Sequence, residues 1–338
     1  MKKIILTILS FCLALTAGAQ EKRMAVVETS TCYMRLMPDY ESALETQELM
    51  GTVVEIVGQE GYWREIVSPQ PYKAWTTEKT LVEMTQEQIR EYKDAPKYMF
   101  TGLYGHIYEE PGVKAATICD LVGGDVMRAV MQGAGKPFVK RKWAQVMLPS
   151  GKTGWVLRKD VCPLGERIDI RMGDAAEGKV SREKMEEVIA SARQLLGVPY
   201  LWGGMSAKGV DCSGLVRISC IMNGVLLPRN ASQQIRCGKP VEVNADPAFW
   251  NEEARKDKEA FSREMKQRIT SLKRGDLVFF GTPATAEKPM RVTHVGIYLG
   301  NGEIIHSSHL VRINSLDPEA DNCYENAHRL IGGCRLVN

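Results

Sequence analysis

Val210-Asp211-Cys212-Ser213-Gly214-Leu215 is the stretch on which the reading of this chain turns. It follows a turn-rich approach, Tyr200-Leu201-Trp202-Gly203-Gly204. It opens a run in which Leu215, Val216, Ile218, Ser219, Ile221 and Met222 recur at helical spacing, and Asn223-Gly224 marks the stop. The pattern predicts a helix with Asp211 at the N-cap and Cys212 in the first turn. A thiol there faces free backbone N–H groups and the positive end of the helix dipole, which favour its thiolate. Gly214 lets another segment approach the first turn closely. The ordinary alternative for Cys212 is a small buried hydrophobe.

A nucleophilic thiol needs a base, and Thr293-His294-Val295-Gly296-Ile297-Tyr298 offers one. Along a strand, Val295, Ile297 and Leu299 form one face, while His294, Gly296 and Tyr298 share the other. Gly296 leaves room on that face for a second group. The next strand brings His306 and His309, and the turn at Gly300-Asn301-Gly302 decides between them. A three-residue loop pairs Leu299 with Glu303 and puts His306 on the face of His294. A two-residue Asn301-Gly302 loop flips His306 away and sets His309 opposite His294.

The rest of the 181–338 region is helix first, then sheet, an α+β order. Ser181 caps an amphipathic helix carrying Met185, Val188, Ile189, Ala192, Leu195 and Leu196. Strands follow at 276–280, 293–299 and 303–307. Between Gln234 and Leu272, the charged, helix-compatible stretch from Trp250 to Ile269 reads as a solvated surface helix or a flap over a cleft.

Upstream, residues 25–163 hold an internal repeat. Trp63 and Trp75 are twelve residues apart, and so are Trp143 and Trp155. Short strands broken by Gly and Pro predict two small β-barrels, at 25–95 and 96–165. The Trp strand, the Ser150-Gly151-Lys152 hairpin and Gly154-Trp155-Val156 resemble bacterial SH3-like domains, which serve as binding modules or as spacers. Glu166 to Val180 reads as a linker. At the start, Lys2-Lys3, an apolar run from Ile4 to Leu15, and Ala17-Gly18-Ala19 have the form of a signal peptide over 1–19, so an exported periplasmic or extracellular protein without a membrane anchor is expected. A net charge of +3 over 338 residues gives no basis for nucleic-acid binding. Eight cysteines follow the leader without a CxxC spacing, so no structural zinc site is expected.

Three motifs in order, Asp211-Cys212-Ser213-Gly214-Leu215, Leu272-Lys273-Arg274-Gly275-Asp276-Leu277-Val278-Phe279-Phe280, and His294-Val295-Gly296-Ile297-Tyr298-Leu299-Gly300 with Ile305-His306, resemble the NlpC family of cell-wall cysteine endopeptidases. The resemblance implies a papain-like catalytic domain over 181–338, with Cys212 as nucleophile, His294 as general base and acid, and His306 as the orienting residue. It implies that Tyr200, Trp202, Asp211, Ser213 and Ser232 line the substrate cleft, and that neither metal nor organic cofactor is needed. Together with two SH3-like domains and a leader, the arrangement is similar to γ-D-glutamyl-L-diamino acid endopeptidases of the dipeptidyl-peptidase VI type. These cut peptidoglycan stem-peptide fragments, L-Ala-γ-D-Glu-diamino acid, with a free N-terminal L-Ala. A monomer is expected. Asp211, held ionised by the helix N-terminus, is expected to pair with the substrate amine, and by the same resemblance an acid of the first barrel, with Glu55, Glu60 and Glu78 as candidates, supplies a second partner. The alternatives are an endopeptidase of intact peptidoglycan with wall-binding barrels, and acyl or amide transfer by the same thiol.

Overall fold

The structure is a computed structural model that describes residues 21–69, 71–133, 135–174 and 179–337. The leader expected at 1–19 lies outside the described residues.

Two β-rich units come first. In the first, seven antiparallel strands lie in the order Leu44–Leu49, Thr31–Arg35, Lys73–Thr77, Trp63–Val67, Val53–Glu60, Arg23–Val27, Leu81–Met84. In the second the order is Thr117–Val122, Tyr104–Tyr108, Thr153–Leu157, Trp143–Met147, Val126–Ala129, Lys97–Phe100, Val161–Pro163. The two orders are the same, element for element. Trp63 and Trp143 occupy equivalent strands, as do Trp75 and Trp155, so the repeated spacing in the sequence is a repeated structure. Each unit buries its own apolar cluster, around Ile66 in one and Ile107 in the other. The helix Gln86–Asp94 joins them, started by a Thr85–Gln88 capping box. The expected linker is partly built in: Ile168–Asp169 pairs with Val225–Leu226, and Ile170 is fully buried.

The last region is a six-stranded antiparallel sheet in the order Lys239–Val241, Leu330–Arg335, Leu277–Thr282, Arg291–Gly300, Glu303–Ser308, Leu310–Ser315. The helices Arg182–Gln194 and Cys212–Ile221 cover one face, burying Leu277, Phe279, Val295, Ile297 and Ile305. The other face, with Val278, Phe280, Tyr298 and Ile304, is covered by Phe261 and Met265 of the helix Lys258–Arg268. The charged stretch holds a surface helix as read, with Lys258, Glu259, Arg263, Lys266 and Gln267 exposed, and its other face is packed on the sheet. Its Arg268 is buried against Glu264 and donates to the His328 carbonyl at 2.8 Å. Eight of its eleven residues are polar or charged, which hides a narrow apolar stripe.

The hairpin that decides between His306 and His309 combines both readings. Gly300 pairs with Glu303, which makes a two-residue loop, and Gly300, Asn301 and Gly302 all have positive φ. A register shift at Leu299 then restores Tyr298 opposite Ile304 and Gly296 opposite His306. The bulge adds the residue that a three-residue loop would have supplied. His306 stays on the face of His294, while His309 is an exposed turn residue with φ of 62°.

Gly214 has the role its position suggests. A Cβ there would lie 2.1 Å from the Gly204 carbonyl oxygen. Gly214→Ala should therefore destabilise the protein by about 1–3 kcal/mol through overpacking, although Ala is the better helix former. A thermal melt by circular dichroism checks this, with a lowered midpoint as the expected outcome.

Candidate functional site

Asp211 holds the start of the Cys212–Ile221 helix. Its Oδ1 accepts from Gly214 N–H at 2.7 Å and from the Ser213 hydroxyl at 3.2 Å, and its Oδ2 accepts from Gly203 N–H at 3.0 Å. The Arg229 guanidinium grips both carboxylate oxygens, and Arg229 and Asp211 are 3% and 7% exposed. Arg229 also donates to Ser213 Oγ at 2.9 Å and, through Nε, to Thr46 Oγ1 of the first β unit at 2.8 Å. The cap is thus a buried ion pair tied to another part of the chain.

Cys212 is 8% exposed, and its sulfur rests against the backbone N–H groups of Ser213 and of Val295, the residue after His294. Burial pushes the thiol up to about 11, and the Asp211 charge adds to this, while the two N–H groups oppose it. The helix start alone therefore does not make a resting thiolate, contrary to the simple expectation.

The imidazoles form a chain. His294 Nε2 lies 2.7 Å from His306 Nδ1, and His306 Nε2 lies 2.9 Å from Asn314 Oδ1. Asn314 Nδ2 donates to the Asn322 carbonyl at 2.6 Å, which turns Oδ1 toward His306. An amide oxygen only accepts, so the proton on His306 belongs on Nε2, and its Nδ1 must accept from His294 Nε2–H. That leaves His294 Nδ1 as a free acceptor. Phe280 and Tyr324 box the pair: Tyr324 stands 4.6 Å from the His306 ring and 5.5 Å from the His294 ring, centroid to centroid, and Phe280 stands 5.8 Å from His294. This packing desolvates both rings while His294 keeps some exposure. Burial holds His294 down to about 3, with His306 and Arg312 adding to it, and holds His306 down to about 4.

Cys212 opens into a cleft of about 410 Å³. Tyr200, Trp202, Asp211, Ser213 and Ser232 line it, with Asn230, Arg291 and Thr293. Trp202 stands 66% exposed at the lip. Burial, then the neighbouring Cys212 and Asp211, push the Tyr200 phenol up, so it remains a donor. One wall comes from the first β unit and holds Glu45 and Tyr72, with the Tyr72 hydroxyl donating to Glu45 Oε2 at 2.8 Å. Glu45 falls at a β-bulge, because Met34 pairs with Thr46 and Arg35 with Leu44. None of the acids expected there lines the cleft: Glu55 pairs with Lys22, Glu78 pairs with Arg64, and Glu60 is exposed on its strand.

Residues 197–326 match the NlpC/P60 family. The chain carries an NlpC/P60 domain. It is 26% identical over 285 residues to a gamma-D-glutamyl-L-lysine dipeptidyl-peptidase of Bacillus cereus, covering 81% of this chain and 70% of that protein. It is 23% identical over 306 residues to dipeptidyl-peptidase 6 of Lysinibacillus sphaericus, covering 87% of this chain and 92% of that one. Both likenesses are too long for the NlpC/P60 domain alone and take in the β-rich units. Among solved structures, an NlpC/P60 family protein of Bacillus cereus has the same fold, with a TM-score of 0.66 at 20% identity over 93% of this chain and 100% of that one.

Within the NlpC/P60 domain the residues missed by sequence reading are Arg229, Asn314 and Tyr324, and outside it Glu45 and Tyr72. Arg229 and Asn314 had no motif of their own. Their signal was topological: Arg312, opposite His306 in the Leu310–Ser315 strand, fixes Asn314 as the next residue on the same face. At pH 6 both imidazoles should be neutral Nε2–H tautomers in long-range ¹H–¹⁵N spectra. Asn314→Ala should remove the acceptor and let the His306 proton move to Nδ1, which the same spectra would record.

Proposed function

We propose that Cys212, His294 and His306 hydrolyse the γ-D-Glu–L-diamino acid bond of peptidoglycan fragments with a free N-terminal L-Ala, in a cysteine peptidase exported by the 1–19 leader. The β units at 25–95 and 96–165 are read as SH3-like, and the domain at 181–338 as papain-like. The observation that carries the substrate assignment is Glu45, held by Tyr72 beside Trp202 in the wall of the Cys212 cleft. A carboxylate there suits an ammonium, and the first β unit across that end leaves little room for a chain continuing beyond it. Asp211 is better suited to capping than to this task, because five donors already engage its oxygens.

The chemistry follows from the tautomer chain. His294 Nδ1 takes the thiol proton as sulfur attacks the γ-carbonyl carbon. Because burial favours the neutral forms of both groups, proton transfer accompanies attack. Backbone N–H groups at the helix start and the Tyr200 hydroxyl can receive the oxyanion. His294 then protonates the leaving amine, and water cleaves the thioester to release the acid and restore the thiol.

Cys212→Ala should abolish turnover with an unchanged circular dichroism spectrum. His306→Ala should lower kcat by about 10²-fold or more while His309→Ala stays near wild type; equal rates for the two would remove His306 from the mechanism. The active His294 is neutral, so its depressed pKa keeps the acid limb of kcat/KM low. Opening the aromatic box with Tyr324→Ala should raise that pKa toward its ordinary value and move the acid limb to higher pH, and Tyr324→Phe should leave it in place.

N-acetylation of L-Ala-γ-D-Glu-diamino acid should cut the initial rate by about 10²-fold or more, since an ion pair is lost and an acid loses its partner. Glu45→Gln should slow the free tripeptide and narrow the difference between it and the acetylated one. Equal rates on both tripeptides, or efficient digestion of intact sacculi, would favour wall-binding β units instead.

A further inference from the structure

A second cavity, of about 320 Å³, lies where the first and second β units, the Gln86–Asp94 helix and the NlpC/P60 domain meet. It shares no lining residue with the Cys212 cleft. Its apolar walls include Leu49, Val53, Val126, Ile221 and Leu226. Its charged groups are Lys93, Lys97, Arg167 and Arg217 against a single acid, Glu48. Glu48 already belongs to Arg217: the two lie 3.7 Å apart, with side chains 5% and 7% exposed. Three cations remain around the cavity without a carboxylate among its walls.

A fourth cation stands beside them. The Lys97 ammonium lies 5.1 Å from the centre of the Tyr92 ring, and the Arg128 guanidinium lies 5.8 Å from it. Arg128 Nε is buried and has no hydrogen-bond partner among the described residues. Lys97 is steadied by the carbonyls of Lys93 and Ala95, each at 2.8 Å, but dipoles offset a like-charge cluster only in part. Burial, then Arg128, hold the Lys97 ammonium below its ordinary range, with Arg167 adding and Asp94 opposing. Lys93 and Arg167 are exposed and Lys97 is half-buried, so the buried donor left unpaired in the group is Arg128 Nε, and a buried polar group without a partner is costly. A group of cations that repel one another around an apolar cavity is the arrangement that an anion with an apolar body would relieve. The volume falls at the lower end of the ligand-pocket range of about 300–1,000 Å³.

We propose that this cavity binds a small organic anion, its carboxylate or phosphate head at Lys97 and Arg167 with Arg128 behind, and its apolar body against Leu49, Val53 and Val126. The occupant would also touch Arg217 and Ile221, which lie on the helix that Cys212 begins. The site does not depend on the substrate assigned to the cleft.

The test is isothermal titration calorimetry of the full chain at low salt with hexanoate, hexyl phosphate and the neutral hexanamide. At least one anion should bind below about 1 mM, and hexanamide should bind at least about tenfold more weakly, the factor expected for one lost charge-assisted contact. The ratio of the two anions identifies the preferred head. Arg167→Glu, a reversal at an exposed position, should weaken the anion by about tenfold or more and leave peptide hydrolysis at the wild-type rate. No binding of either anion up to about 10 mM, equal binding of hexanamide, or unchanged affinity in Arg167→Glu would each overturn the proposal.

Discussion

The ion pair between Asp211 and Arg229 is the interaction on which the site depends. It does three things at once. It caps the helix that begins with Cys212, it fixes the Gly203–Gly204 approach through the Gly203 N–H, and through Thr46 it joins the NlpC/P60 domain to the strand that carries Glu45. Removing one partner from such a pair leaves the other charge buried alone, a loss of about 3–5 kcal/mol. The close packing of Gly214 on the Gly204 carbonyl and the hydrogen bond from Met205 N–H to Gln47 Oε1 at 2.8 Å reinforce the same junction. Cys212 and the wall that holds Glu45 are therefore positioned by one set of contacts.

Two tendencies compete at Cys212. The helix start and two backbone N–H groups stabilise negative charge on sulfur, whereas exclusion of water from the sulfur and from the imidazoles penalises charge on either. Helix-terminal effects reach about 2 kcal/mol at best. Burial prevails here, because Phe280 and Tyr324 enclose the ring pair and the helix start itself is covered. Burial thus acts toward the neutral thiol and the neutral imidazoles alike.

The local parts of this arrangement were legible in the sequence. Asp211 as a cap, Gly214 as a close-approach residue and the face shared by His294 and Gly296 follow from spacing alone, and a Cβ at Gly296 would indeed stand 3.1 Å from the Cβ of His306. The β-bulges were not legible. The one at Leu299 reconciled a two-residue loop with the register of a longer one, and the one at Glu45 turned an acid toward a cleft whose other wall lies more than 150 positions away in sequence. Motif reading could not choose among the acids of the first unit, because which one faces the cleft is set by docking between regions. The Lys258–Arg268 helix was legible but its packing was not, because its charge masked the Phe261 and Met265 stripe.

The two β units share a strand order, and the correspondence extends to their irregularities. The shift that displaces Glu45 between Thr46 and Leu44 recurs in the second unit, where Ile107 pairs with Cys119 and Tyr108 with Thr117, displacing Ile118. Ile118 packs against the core of its own unit, whereas Glu45 faces the Cys212 cleft. One scaffold position thus packs inward in one copy and lines a cleft in the other. The Glu45 wall of the cleft is thereby carried on Leu44–Leu49, apart from the elements that carry the thiol and the imidazoles.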